Sequence, residues 1–130
     1  MDKYTWVRLG SSYLPSELNA AYLYAQLEVA DKILANRMAS WNAYRERLLQ
    51  LEKSGDAELQ RIPAHCRHNA HLFSLKVQDN ATRTKLLAHL VSKGILAVFH
   101  YVPLHTAPAG KLYGRFNGED RYTTRESSRL

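Results

Sequence analysis

Residues 71–102 read HLFSLKVQDNATRTKLLAHLVSKGILAVFHYV, and this segment specifies most of the architecture. Residues 71–78 alternate between two faces, with the larger apolar side chains on one of them, as in a half-buried strand. Residues 95–102 form a second apolar run rich in β-branched side chains, which predicts another strand. A strand, a helix and a strand in this order predict a crossover unit, and a parallel pair would be right-handed.

The helix between the two predicted strands has clear start and stop signals. Asp79 and Asn80 can cap its first turn with their side-chain oxygens. Gly94 suits the position just after its last turn. Its expected buried stripe consists of Leu86, Leu87, Leu90 and Val91.

A longer helical pattern precedes this unit. It starts at Pro15, and apolar residues recur every three or four positions to about Lys53, before Gly55. The phase of the apolar face changes near Ile33 and Leu34, where we expect a bend or a change of packing partner. The resulting division is a lead-in segment at 1–14, a long connecting helix at 15–54 and a small α+β domain at 55–130.

The C-terminal part predicts an incomplete domain. Residues 103–122 are rich in turn-forming residues, and Thr123 and Glu126 then match a capping box, which predicts a helix. The sequence holds only four residues after Glu126. Two strands also make a poor sheet, since a stable sheet usually needs a third. We therefore expect a piece of a longer protein.

Composition restricts the class of protein. Apolar residues make up 45% and charged residues 23% of the chain, which is ordinary for a folded domain. The single cysteine, Cys66, excludes a disulfide framework within the chain and favours a reducing compartment, the cytoplasm. No apolar run approaches the length of a membrane span, and the first residues do not match a secretory signal.

The formal net charge of +6 lies entirely in the second half. Residues 66–130 hold ten Lys and Arg against four Asp and Glu, whereas residues 1–65 hold eight of each. A basic half favours a phosphate-bearing partner, although a solvated basic surface has the same composition.

Two groups of residues could carry chemistry. The first has His65, Cys66, His68 and His71, but the spacing fits no known zinc motif, so we interpret these as structural or surface residues and predict no metal site. The second has His100, Tyr101 and His105 around a proline-bent loop, which can present polar groups to a ligand. The alternative is that Tyr101 only forms a hydrogen bond within the chain and that the two histidines face solvent, without a ligand. No complete catalytic set is visible, and no residue is assigned a catalytic role.

Several segments of the chain resemble the DegT/StrS-type sugar-nucleotide aminotransferases. They are GSSYLPSELNAA (10–21) with QL (26–27), RMASWNAYRERL (37–48), NAHLF (69–73), AVFHYVPLH (97–105) and GEDRYTT (118–124). The resemblance implies the C-terminal part of a fold-type I pyridoxal phosphate enzyme, in which a long helix leads from a large domain into a small α+β domain. It also implies glutamate as the amino donor, a dTDP-linked keto-sugar as the substrate, and a homodimer or a swapped oligomer.

The resemblance assigns candidate site residues as well. In the family pattern Gly-x-Asn-x-Arg, the asparagine reaches the cofactor phosphate of the neighbouring subunit. Ser12 stands at the asparagine position and can still donate to a phosphate, while Leu14 cannot replace the arginine. His100, Tyr101 and His105 would line the sugar-nucleotide site.

The resemblance places the Schiff-base lysine and the aspartate of the cofactor site before the matched part. We therefore expect no bound pyridoxal phosphate and no transamination by this chain alone. Two other classes of function remain open. One is a basic nucleic-acid-binding module with Phe73 and Phe99 as stacking residues, and the other is a structural dimerisation piece.

Overall fold

The computed structural model describes residues 13–130 and divides the chain into two units, 1–36 and 37–130. The chain is α+β, with most of the described residues in helices and a small two-stranded sheet, which confirms the predicted fold class. Within the described residues, no helix combines the length and apolarity needed to cross a bilayer.

The first unit contains helix α1, Glu17–Glu28. Ser16 caps it, because its side chain accepts a hydrogen bond of 3.2 Å from the backbone N–H of Asn19. No residue of α1 is buried, and large apolar side chains such as Leu18 and Tyr22 stay exposed. Among residues 13–36, the first unit therefore has no core of its own.

Helix α2, Ala30–Ser54, continues the predicted long helix after an interruption. The break lies at Val29, whose N–H bonds to Gln26, rather than at the expected Ile33-Leu34 bend. The helix resumes at once, since the N–H of Ile33 donates to the carbonyl of Val29. Gly55, at φ +79°, ends α2 where the sequence predicts.

The sheet of the second unit pairs β1, Glu58–Leu59, with β2, Leu75–Lys76. The pair is antiparallel, with Leu59 opposite Leu75. The predicted strand at 71–78 is thus confirmed only over two residues, and its partner comes from a segment interpreted as connection. The predicted parallel crossover is wrong, because the neighbour of β2 precedes it in the chain.

Residues 95–102, the second predicted strand, contain no strand. The segment is apolar and β-branched as expected, but a strand forms only against a partner that takes up its backbone hydrogen bonds. Leu96 and Val98 are mostly exposed instead.

Helix α3, Asn80–Ser92, has the predicted ends. Asp79 caps it through a bond of 2.8 Å from the N–H of Thr82, and Gly94 follows at φ +73°. The expected buried stripe is wrong at Val91, which is 61% exposed. The three leucines of the stripe, Leu86, Leu87 and Leu90, are half-buried.

The core of the second unit is small and centred on Trp41 of α2. Its buried apolar residues are Trp41, Ala57, Leu59, Ala70 and Val77. The Trp41 ring meets the rings of His68 and Phe73 edge-on, at centroid distances of 4.6 and 5.5 Å. These ring contacts pack α2 against the segment that leads into β2.

Two short helices follow a 3-10 turn at Leu104–Thr106. They are α4, Pro108–Tyr113, and α5, Thr123–Arg129. The predicted C-terminal helix is present, but its predicted capping box is wrong. Glu126 instead forms an ion pair with Lys76 of β2, at 2.8 Å.

Candidate functional site

His105 lies on the 3-10 turn between Pro103 and α4. The turn and α4 approach closely because Gly110 lacks a side chain. A Cβ at Gly110 would lie 1.6 Å from the carbonyl oxygen of Leu104. The backbone around His105 is therefore fixed by packing that no larger residue permits.

Asp120 holds the imidazole of His105 from fifteen residues further along the chain. Its Oδ2 lies 2.7 Å from Nε2 of His105. The exposed fractions of the two side chains are only 19% and 22%. The pair nevertheless lies at the surface of the second unit, so solvent and salt still screen part of its attraction.

Thr124 fixes Asp120 in turn. Its hydroxyl donates to Oδ2 of Asp120, and its backbone N–H donates to Oδ1 at 3.2 Å. The Thr124 hydroxyl, together with the bond to His105, holds the pKa of Asp120 below its ordinary value, although partial burial opposes this. Asp120 is therefore a carboxylate at neutral pH.

Phe116 packs against the imidazole ring. The two ring centroids lie 4.4 Å apart, with the planes tilted by 33°. His105 is thus fixed at one edge by a carboxylate and at one face by an aromatic ring. We name His105, Phe116, Asp120 and Thr124 the His105 cluster.

The other two predicted site residues lie outside the His105 cluster. The rings of His100 and Tyr101 stack on each other at 4.1 Å, and both residues are exposed. The carbonyl of Tyr101 accepts a hydrogen bond from the hydroxyl of Ser127. The structure thus brings His100 and Tyr101 together, while His105 makes its contacts within the cluster.

The sequence interpretation missed Phe116, Asp120 and Thr124. A signal for two of them was present, because Asp120 stands four residues before Thr124 at the start of a predicted helix. The interpretation assigned the capping role to Thr123 instead. The link from Asp120 to His105 spans α4 and a loop, and it has no local signature in the sequence.

A concave region lies beside α2. It is an open cleft of about 590 Å³ next to Trp41 and Arg45. Both side chains donate to Gln60, Trp41 to its side-chain oxygen at 3.3 Å and Arg45 to its carbonyl at 3.2 Å. Since these polar groups satisfy one another, the cleft is better explained as a structural junction.

The histidines near Cys66 serve packing or face solvent. His68 contacts Trp41, and its Nδ1 accepts a hydrogen bond from the N–H of Ala70 at 3.3 Å. His65, Cys66 and His71 are exposed. Across residues 13–130, no three His, Cys, Asp or Glu side chains converge as a metal site.

Comparison with known protein families gives one match. The model of the DegT/DnrJ/EryC1/StrS aminotransferase family matches residues 1–127, nearly the whole chain. The chain therefore belongs to this family, as its sequence segments predict. Members of this family are generally aminotransferases that depend on pyridoxal phosphate.

The described lysines do not fit the covalent attachment of that cofactor. A Schiff-base lysine must be neutral to react, and it is usually desolvated. Hydrogen bonds from Glu126 and Glu58 raise the pKa of Lys76, which keeps it charged. The remaining lysines of residues 13–130 are exposed; they are Lys32, Lys53, Lys85, Lys93 and Lys111. Ser12, the predicted contact of the cofactor phosphate, lies outside the described residues.

Proposed function

We propose that this chain supplies the substrate-binding part of a transaminase for a dTDP-4-keto-6-deoxyhexose. The proposed enzyme is dTDP-4-amino-4,6-dideoxygalactose transaminase, which acts in enterobacterial common antigen biosynthesis. The proposed reaction takes place in the cytoplasm and uses glutamate as the amino donor. Support comes from the family membership and from the resemblance of segments 97–105 and 118–124 to that enzyme.

One observation carries the proposal. His105, at the end of the segment AVFHYVPLH, is held by a carboxylate and an aromatic ring instead of pointing freely into water. Histidines fixed in this way are typical of sites that bind or orient a ligand. The basic second half of the chain would attract the diphosphate of a sugar nucleotide.

The proposed role is limited to binding and orientation. Pyridoxal phosphate supplies the electron sink for transamination when it is bound, and the described lysines do not fit its attachment. We therefore expect no transamination by this chain alone. The proposed division into a lead-in at 1–14, a connecting helix at 15–54 and a small domain at 55–130 agrees with that role.

Titration of the full chain with dTDP-glucose tests the proposal. We expect saturable binding by calorimetry, and His105→Ala should weaken it by about three- to tenfold, the worth of one or two hydrogen bonds. His89→Ala is the matched control, because His89 is an exposed histidine on α3. Absence of binding to the unaltered chain, or equal effects of the two substitutions, would contradict the proposal.

We also propose that the chain associates with a second copy, as a homodimer or a swapped oligomer. The support is the exposed apolar surface of α1 and of residues 95–102, where Leu18 is 83% and Leu96 is 88% exposed. Unpaired apolar surface of this kind favours self-association. Sedimentation equilibrium should show a species larger than 14.9 kDa, and a monomer at all concentrations would contradict this.

A nucleic-acid-binding function has less support. Phe73, one of the two proposed stacking residues, packs against Trp41 and Tyr44 at 5.5 Å from each. Arg83 lies over the ring of Phe99 at 4.9 Å. With these rings engaged inside the chain, the aromatic platform that bases would stack on is not available.

A further inference from the structure

The bonding of Asp120 defines the protonation of one ring nitrogen in His105. A carboxylate can only accept hydrogen bonds, and Asp120 Oδ2 lies 2.7 Å from Nε2. Nε2 must therefore carry the proton. In the neutral ring, Nδ1 then holds a lone pair and becomes an acceptor.

Nδ1 is also the ring nitrogen that has no hydrogen-bond partner among the described residues. Among residues 13–130, no group forms a hydrogen bond to Nδ1 of His105, and the Thr124 hydroxyl, at 3.5 Å, faces Nε2. The side chain is only 19% exposed. A half-enclosed acceptor without a protein donor suits a ligand that brings its own donor.

The surroundings of Nδ1 favour a sugar as that ligand. Phe116 lies against the imidazole and is 48% exposed, so its ring presents apolar surface beside a hydrogen-bond acceptor. Sugars offer hydroxyl donors next to C–H faces, which such a pair of groups can hold together. A phosphate has no apolar face and, when fully ionised, no proton to donate.

We propose that Asp120, locked in place by Thr124, is a positioning residue that keeps His105 in the Nε2–H form, so that Nδ1 accepts a hydrogen bond from a sugar hydroxyl of the substrate. This inference rests on the proposed function for the choice of ligand. The positioning of His105 by Asp120 stands independently of it.

The positioning claim is tested by nitrogen NMR on the full chain labelled with ¹⁵N-histidine. Long-range proton–nitrogen spectra should show the Nε2–H form for His105. In Asp120→Asn, the side-chain amide can donate as well as accept, so both neutral forms should be populated. Asp79→Asn is the matched control, because Asp79 caps α3 outside the His105 cluster and Asn also caps helices well. His105 should keep its Nε2–H form there.

Two results would overturn the positioning claim. One is an Nδ1–H form in the unaltered chain, and the other is an unchanged His105 spectrum in Asp120→Asn. If Asp120→Asn fails to fold, Thr124→Val replaces it, since valine preserves the shape of threonine and removes the hydroxyl that fixes Asp120. Thr124→Val should shift His105 toward the mixed forms, and an unchanged spectrum would again overturn the claim.

The ligand claim is tested by comparing dTDP-glucose with dTDP, which lacks the sugar. The unaltered chain should bind dTDP-glucose about three- to tenfold more tightly, and Asp120→Asn should abolish that preference while dTDP binding persists. An equal preference in both proteins would overturn the ligand claim. If neither nucleotide binds the unaltered chain, the proposed function fails with it, and the NMR result still decides the positioning claim.

Discussion

Glu58 connects two cations that belong to different elements. Its Oε2 lies 2.8 Å from Nζ of Lys76 on β2, and its Oε1 binds the guanidinium of Arg129 on α5. Lys76 and then Arg129 lower the pKa of Glu58 from 4.5 to about 2. The carboxylate thus stabilises the folded chain only while it is ionised.

The Glu58→Gln substitution tests this contribution. Because the folded pKa is the lower one, the stabilisation is complete above pH 4.5 and is lost as the pH falls toward 2. Glu58 is half exposed, so solvent screening limits the effect at neutral pH to about 1 kcal/mol or less. Urea unfolding between pH 7 and pH 2 should show lower stability in the variant and a flatter pH dependence.

Glu46→Gln serves as the control for that measurement. Glu46 is exposed on α2, and it forms none of the ion pairs found among residues 13–130. Its substitution should leave both the stability and the pH dependence unchanged. A Glu58 variant that matches the Glu46 variant at every pH would show that the pair with Lys76 and Arg129 contributes nothing.

The chemistry of His105 shows what can and cannot be predicted at the scale of single residues. His105 was a candidate because its residue type and its proline-bent loop are both visible in the sequence. Its partner Asp120 was not, because the contact between them depends on how the intervening loop and α4 fold. The group that defines the chemistry of a residue often lies far from it in sequence.

The short helix α5 persists because other elements hold it. An isolated helix of seven residues is not stable in water. The N–H of Val77 donates to the carbonyl of Arg129 at 3.0 Å, and Nε of Arg129 donates back to the carbonyl of Val77 at 2.8 Å. Arg83 of α3 donates to the carbonyl of Ser127. The C-terminal helix is therefore part of the packed second unit.

The close contact between the 3-10 turn and α4 gives a test at the scale of elements. Gly110→Ala places a Cβ against the carbonyl of Leu104, so one of the two elements must shift. We expect a loss of about 1–3 kcal/mol in the free energy of unfolding, as for other overpacked sites. The NMR signals of His105 should move as well.

Ala109→Ser is the matched control for Gly110→Ala. Ala109 precedes Gly110 in α4 and is exposed, so a hydroxyl there meets solvent. Its effect on both the stability and the His105 signals should be small. If Gly110→Ala behaved in the same way, the fixed geometry around His105 would be disproved.

The sequence predicts the bounds of the helices more accurately than those of the strands. The ends of α2 and α3 lie at Gly55, Asp79 and Gly94 because caps and glycines act over a few residues. The strand expected at 95–102 is absent because a strand needs a partner elsewhere in the chain. Apolar, β-branched composition indicates a capacity to pair and does not supply the partner.

At the scale of the whole molecule, the family membership and the lysine environments together bear on where the cofactor is attached. The chain matches an aminotransferase family over residues 1–127, yet among residues 13–130 no lysine is suited to hold the cofactor covalently. We propose that this chain binds the substrate through His105 and that the cofactor is attached covalently outside residues 13–130.

Trapping with borohydride tests that account most directly. The chain is incubated with pyridoxal phosphate, reduced, digested and mapped by mass spectrometry, with a sample unfolded in urea as the control. We expect low labelling spread over several lysines, similar in the folded and unfolded samples. Stoichiometric labelling of one lysine in the folded chain alone would contradict the account.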